Sequence, residues 1–345
     1  MTTIKDISNK CGVSPATVSK ALNGYTDISK ETVDLIRRTA NEMHYMPNAA
    51  ARMLKTNTSH DIGVLFVDEQ TSGLKNEYFS QILNSVKEEA EVLGYDITFI
   101  GNHIGGKSVS YLEHCKYRRC DGVLIACVNF DNDEVRELIR SDIPSVTIDY
   151  STDCSSSILS DNEEGAYALA SLLIKNGHSR IAYIYGENSQ VTENRVAGYR
   201  RALQDHGIPF REDYMVQARY HDPEASKGAT AELLSMDEPP TAIMYPDDYS
   251  SIGGCNEILS EGLVIPDDIS VTGYDGISLC EVVQPQLTTW RQNTGEIGKV
   301  SVRRLVEMIG ESEKSDIQET GTGNVSKVAG ELFNGYSVKD LGSSK

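Results

Sequence analysis

The chain is poor in the features that mark most function classes. It has one tryptophan and six phenylalanines in 345 residues, and nowhere does it run for the ~18 apolar residues that a membrane-spanning helix needs. Met1–Lys10 is polar, so a secretion signal is not expected either, and a cytoplasmic location is. The seven cysteines (Cys11, Cys115, Cys120, Cys127, Cys154, Cys255, Cys280) are odd in number and scattered through apolar segments, which suits reduced thiols and not a disulfide framework. His114, Cys115 and Cys120 lie close together but lack the paired two-residue spacing of a metal site. No Ser-His-Asp or paired-carboxylate spacing stands out. Hence no catalytic residue, metal or cofactor is expected, and the chain does not read as an enzyme. The polar segment 311–345 holds no leucine heptad, so a dimer is expected and not a tetramer built on a terminal helix.

Positive charge is also scarce overall. Lys and Arg number 32 against 51 Asp and Glu, a net charge of -19, which taken whole argues against nucleic acid. The distribution reverses that reading. Residues 1–60 carry eight Lys/Arg and five Asp/Glu, a net of +3, which leaves -22 for the rest. A basic head that touches phosphate and an acidic body held away from it would give this asymmetry.

Apolar spacing divides the head into three short helices. Thr3 caps the first, which carries Ile4 and Ile7 and stops at Gly12. Ser14-Pro15 supplies a cap and a proline at the first helical position of the second, which buries Val18 and Leu22 and ends near Asn23-Gly24. Ser29 caps the third, with Val33, Ile36, Ala40 and Met43 along one face. A turn of two or three residues between the first two helices is the spacing of a helix-turn-helix. In that geometry the start of the second helix meets base edges in the major groove. Lys20 can donate to guanine, and Pro15 and Ala16 offer apolar contact to a thymine methyl. Ser14, Thr17, Ser19 and Asn23 suit phosphate. Helix spacing alone would also fit a three-helix protein-interaction module.

The next segment separates the two. Residues 48–55, Asn-Ala-Ala-Ala-Arg-Met-Leu-Lys, are an alanine-rich stretch of about two turns, too short to be a stable helix alone in water. Pairing with a second copy or docking on DNA would stabilise it. Leu54 could wedge between base steps in the minor groove, with Arg52 and Lys55 near phosphates. Thr3-Ile4-Lys5-Asp6-Ile7, Val13-Ser14-Pro15-Ala16-Thr17-Val18-Ser19-Lys20-Ala21-Leu22-Asn23-Gly24 and Tyr45-x-Pro47-Asn48-x-x-Ala51-Arg52-x-Leu54 together resemble the lactose-repressor (LacI/GalR-type) family. The resemblance covers nearly the whole chain. It implies a homodimer on pseudo-palindromic double-stranded operator DNA, with two hinge helices inserting their leucines, here Leu54. Thr3, Tyr45 and Asn48, inside the matching motifs, join the residues expected at DNA.

From His60 the pattern becomes apolar strands alternating with amphipathic helices. Strands are expected at Gly63–Val67, Asp96–Ile100, Gly122–Cys127, Ser145–Ile148, Arg180–Tyr185, Ala242–Tyr245 and Ile269–Gly273. Repeated βα units make parallel sheets flanked by helices. The expected fold is therefore an all-α helix-turn-helix headpiece with an α/β two-lobed core of two parallel, doubly wound sheets. The resemblance likens that core to periplasmic sugar-binding proteins. The expected limits are 1–45 for the head and 46–60 for hinge helix and linker. The core is expected over 61–345, with a first lobe of about 61–160 plus 291–325 and a second of about 161–289 plus 326–345.

Ligands of open α/β sheets bind beyond the carboxyl ends of the strands. Asp149, Tyr150, Asp248 and Asp275 follow such ends, Tyr78 and Phe79 follow the first core strand, and Arg195 follows Arg180–Tyr185. Carboxylates take paired hydroxyl donors, an arginine fixes oxygens, and aromatic faces stack on apolar C–H surfaces, a set that suits a small sugar effector. The resemblance gives the same residues and adds His221. The chain departs from the family in having Ser189, Gln190 and Val191 where many relatives carry a second Arg or Asn. Three rival readings remain. Gly101-Asn-His-Ile-Gly-Gly-Lys-Ser108 formally matches a phosphate-binding loop, a stand-alone sugar-binding protein would share the core, and the core could answer to a protein partner or a non-sugar metabolite.

Overall fold

The computed structural model describes residues 2–46, 53, 58–67, 75–312 and 323–342. It divides into two compact units, residues 1–59 and 60–345. The head holds α1 (Ile4–Cys11), α2 (Pro15–Leu22) and α3 (Lys30–Glu42). Ile7, Val18, Ala21, Ile36 and Ala40 form its buried centre. Gly12 turns the chain between the first two helices at φ +68°, in the left-handed region where a glycine has no Cβ penalty. The hinge helix expected over 48–55 lies outside the described residues except at Met53.

The core builds two six-stranded sheets. Its first strands and helices are β1 (Asp61–Phe66), α4 (Glu77–Leu93), β2 (Asp96–Ile100), β3 (His103–Ile104), β4 (Lys107–Ser108), α5 (Tyr111–Arg118) and β5 (Gly122–Ala126). Then come α6 (Asp133–Ile139), β6 (Ser145–Ile148), β7 (Ser156–Ser160), α7 (Asn162–Lys175), β8 (Ile181–Tyr185), α8 (Gln190–Asp205) and β9 (Met215–Gln217). The last are α9 (Pro223–Leu234), β10 (Ala242–Met244), α10 (Asp248–Ser260), β11 (Ser270–Asp275), α11 (Leu279–Val282), β12 (Thr288–Arg291), α12 (Thr294–Ser312), β13 (Val325–Val328) and β14 (Glu331–Phe333). The first sheet runs β13-β7-β6-β5-β1-β2, parallel throughout. The second runs β14-β12-β11-β10-β8-β9, parallel except for its β14 edge. Each sheet reverses its strand order beside its first strand, between β1 and β5 and between β8 and β10. These are the switch points at which doubly wound sheets leave a crevice.

Among the described residues the chain passes between the sheets three times, after Ser160, after Arg291 and after Val328. That corrects two expected limits. β12 belongs wholly to the second sheet, so the second lobe runs through Arg291 and not 289. β13 pairs with β7 in the first sheet, so the first lobe keeps residues through Val328 and not 325. The strands β7, β9, β12, β13 and β14 were not among those expected from apolar runs.

The phosphate-loop reading fails on geometry. Residues 103–108 form a two-stranded antiparallel hairpin, with Gly105 and Gly106 at φ +55° and +80° in its turn, the conformation that tight hairpin turns demand. α5 begins three residues after Ser108 and is capped by Ser110. The loop therefore does not open into a helix N-terminus that could cradle phosphate.

Candidate functional site

In the head, the groove-facing candidates ride on α2. The Thr17 amide donates to Ser14 Oγ at 3.1 Å, and Pro15 fills the first helical position. Val18 and Ala21 are buried, which turns Pro15, Ala16, Lys20 and Asn23 outward, with Thr17 and Ser19 half-buried beside them. Lys20 is paired with Asp27, an exposed ion pair that a phosphate or base edge can displace at little cost. Thr3 is a cap before it is anything else. Its amide and hydroxyl both donate to Asp6 Oδ2, at 2.8 and 2.7 Å, and its oxygen accepts from the Asp6 amide at 3.3 Å. Tyr45 packs half-buried against the head's apolar centre. Asn48, Arg52, Leu54 and Lys55 lie outside the described residues.

In the core, a continuous polar chain links the two sheets. The Tyr78 hydroxyl donates to Asp149 Oδ2 at 2.7 Å and lies 3.3 Å from Gln292 Oε1. Gln292 Nε2 donates to Asp275 Oδ1 at 2.7 Å, and Arg195 Nη2 stands 3.8 Å from the same oxygen. Arg195 is only 4% exposed. Its Nε donates to Asn162 Oδ1 and its Nη1 to the Pro246 carbonyl, each at 2.8 Å. Its guanidinium lies 3.6 Å above the Tyr274 ring centroid and 5.7 Å from that of Tyr220. Tyr220 can lie there because its neighbour is Gly186; a Cβ at that position would stand 1.9 Å from the Tyr220 ring.

Three of the site residues hold backbone conformations that L side chains avoid: Asp149 at φ +59°, His221 at +53° and Asp275 at +108°. Such strain costs on the order of 1–3 kcal/mol per residue and clusters where a ligand is gripped. Tyr150 is stacked on Phe130, with ring centroids 3.9 Å apart and planes 4° from parallel, a flat wall beside Asp149. Phe79 sits edge-on to both Phe66 and Tyr78 and packs half-buried on the apolar core. The His221 amide donates to Asp247 Oδ2 at 2.9 Å, and its Nδ1 lies 3.3 Å from Oδ1.

Asp248 is the correction. It is fully buried. Gly276 and Ile277 amides donate to its Oδ2 at 2.6 and 3.0 Å, and the Thr289 hydroxyl to its Oδ1 at 2.6 Å. It ties α10 to the loop after β11 and faces protein, not the cleft. The helix cap is its neighbour Asp247, which accepts from the Ser250 amide at 2.8 Å. Residues that strand-end reasoning passed over are Gln292, directly after β12, and the Arg195 partners Asn162, Tyr274 and Tyr220. Tyr220 lies in the segment singled out for His221.

Burial pushes the Asp275 carboxyl up to about 7 against the pull of Arg195. Burial, then the charge of Asp275, pushes Asp248 up to about 8. Asp247 goes the other way: against burial, the charge and hydrogen bonds of His221 hold it below the ordinary carboxylate value. Near neutral pH the folded core thus keeps protons that the unfolded chain releases above about pH 4. Stability is accordingly expected to fall as pH rises from about 4 to about 8. Urea midpoints at about pH 5.5 and about pH 8.5 should show the higher pH weaker, and Asp275→Asn should flatten the difference. An unchanged difference in that variant would assign the slope to other groups.

A helix-turn-helix head followed by a two-lobed α/β core is the make-up of a DNA-binding regulator. Residues 3–48 match the bacterial regulatory proteins of the lacI family, and residues 170–325 a periplasmic binding protein-like domain. The HTH-type transcriptional repressor PurR of Vibrio campbellii is 34% identical over 321 residues, 91% of this chain and 93% of that protein. The Lac repressor dimer bound to operator and the anti-inducer ONPF superposes with a TM-score of 0.75 at 24% identity, over 98% of this chain and 99% of that one. A LacI family regulator from Enterococcus faecium with bound ribose superposes with a TM-score of 0.66 at 26% identity, over 81% and 99%. The chain belongs to the lacI family and is a DNA-binding transcriptional repressor of the LacI/PurR type.

Proposed function

We propose that the chain is a cytoplasmic homodimer that represses carbohydrate-use genes and releases its operator when a small sugar fills the cleft between the lobes. The observation that carries the effector site is the chain Asp149–Tyr78–Gln292–Asp275–Arg195, which joins both sheets at the carboxyl ends of their strands. Asp149, Asp275 and Arg195 are the polar grips, and Tyr78, Phe79 and Tyr150 the aromatic surfaces; His221 borders them through Asp247. The ribose bound to the Enterococcus faecium relative supports a sugar.

A second reading, a flat non-sugar metabolite, is favoured by the stacked Phe130–Tyr150 wall and by the more similar relatives, named PurR, whose name mentions no sugar. Titrating a panel of mono- and disaccharides and free nucleobases while following Trp290 fluorescence separates the two. Trp290 is the only tryptophan and lies two residues from Gln292. Saturable change with a sugar supports the first reading; a response to bases alone overturns it in favour of the second.

At the DNA, Pro15, Ala16 and Lys20 read bases, Ser14, Thr17, Ser19 and Asn23 hold phosphates, and Thr3, Tyr45, Asn48, Arg52 and Lys55 support them. Two hinge segments, one from each copy, place Leu54 at the centre of the site. Effector occupancy shifts the spacing of those hinges, and a ligand moves that equilibrium only by its differential affinity for the two states. Leu54→Ala is expected to weaken operator binding, by gel shift, while leaving effector binding intact. Equal operator affinity in the two proteins would defeat the hinge account.

A further inference from the structure

Two double hydrogen-bonded clasps join the lobes. In one, Gln190, the first residue of α8, grips the backbone of Ser151. Its Oε1 accepts the Ser151 amide at 2.7 Å and its Nε2 donates to the Ser151 carbonyl at 3.0 Å, the pairing of a β-ladder made by a side chain. In the other, Glu77, the first residue of α4, grips Ser278. Its Oε1 accepts the Ser278 amide at 2.8 Å and its Oε2 the Ser278 hydroxyl at 2.9 Å.

The two clasps are built alike. Each gripping residue opens a helix fixed by a side-chain cap: the Thr192 amide donates to Ser189 Oγ at 3.2 Å, and the Phe79 amide to Asn76 Oδ1 at 3.4 Å. Glu77 is steadied further by Gln81, whose Nε2 donates to its Oε1 at 2.9 Å. Each gripped residue sits just beyond a strained aspartate that lines the cleft, Ser151 two residues after Asp149 and Ser278 three after Asp275. They act in opposite senses: Gln190 reaches from the second lobe to the first, and Glu77 from the first to the second. Separation of the lobes must break both clasps, along with the Tyr78–Gln292 contact of the polar chain.

We propose that Gln190 and Glu77 are positioning residues that close the cleft cooperatively, and so set how firmly it retains its effector. The inference rests on the effector reading of the cleft, but its test does not need the effector. Amide hydrogen exchange is measured on the full-length protein and on Gln190→Ala and Glu77→Ala. A variant that loses a clasp exposes its own partner amide, which any structural role would also do. The informative amide is the distant one. In Gln190→Ala the Ser278 amide, and in Glu77→Ala the Ser151 amide, should exchange about tenfold faster, as expected for a shared opening. Amides of Gly122–Ala126 and Ile181–Tyr185 should keep their protection. If those strands lose protection, Gln190→Glu replaces the alanine variant. It keeps the acceptor for the Ser151 amide and loses the donor, and should still speed exchange at Ser278. Acceleration confined to each variant's own partner overturns the proposal. Failure of every sugar and base to bind would instead overturn the effector reading and leave the clasps standing.

Discussion

At about pH 8.5, where Asp275 is ionised, Arg195→Met is expected to destabilise the core by about 3–5 kcal/mol, the range seen when one partner of a buried ion pair is removed. The substitution preserves much of the side-chain volume, so the loss is not chiefly one of packing. It strands Asp275 with no cation beside it, and takes donors away from Asn162 Oδ1 and the Pro246 carbonyl. Buried groups left unsatisfied cost about 1–3 kcal/mol each, and charged ones more. The stacking on Tyr274 goes as well. A surviving fold should have lost its effector response, because the residue that orients Asp275 from the second lobe is gone. Urea unfolding with the Trp290 titration reads both effects. A midpoint within experimental error of the parent, with the response intact, would make Arg195 an ornament of the surface, contrary to its 4% exposure.

Gly253→Ala is expected to destabilise by about 3 kcal/mol, the upper end of what overpacking usually costs. In a helix the same change ordinarily stabilises by up to about 1 kcal/mol, so here even the sign is diagnostic. The added Cβ would stand 1.7 Å from the Pro223 carbonyl oxygen, a backbone atom that cannot swing away. Gly253 and Gly254 let α10 approach α9 and the Tyr245 hydroxyl closely, and α10 carries Asp248 and follows the Asp247 cap. Gly228, on α9 itself, has open space where a Cβ would go. Gly228→Ala should therefore stabilise, by about 0.5–1 kcal/mol. Urea midpoints of the pair that move in the same direction would contradict the packing described.

The head was legible almost residue by residue because each helix announces itself with a cap: Thr3, Ser14 and Ser29 all accept the predicted amide. In the core the legible strands were those with continuous apolar runs, such as Gly122–Ala126 and Ser145–Ile148. Ser156–Ser160 was passed over because three of its five residues are serine. Buried serines are satisfied by partners far along the chain, as when Arg304 Nε donates to Ser156 Oγ at 3.1 Å and Thr147 meets Ser157 at 3.0 Å. Val325–Val328 and Glu331–Phe333 are edge strands with exposed faces, and no apolar run marks them. The Gly105-Gly106 pair carried two signals, a phosphate loop by pattern and a hairpin turn by backbone need, and the hairpin won.

At the effector site, strand-end reasoning found Asp149 and Asp275 because each stands directly at the end of a parallel strand. It mistook Asp248 because two aspartates follow β10 in succession. Which one caps α10 and which turns inward depends on the strand ending at Met244, one residue earlier than its apolar run. Gln292 could not be found that way without β12, and Tyr220 depends on a glycine 34 positions earlier in the chain.

Repression under effector control requires that the head read a DNA sequence and that the core alter its grip. The most direct test incubates the full-length protein with a library of random duplexes and repeats the selection in rising salt. A single pseudo-palindromic motif should emerge, its binding should weaken steeply as salt rises because phosphate contacts release counterions, and the sugar or base that alters Trp290 fluorescence should release it. Enrichment of no motif at any salt, with or without those ligands, would contradict the account.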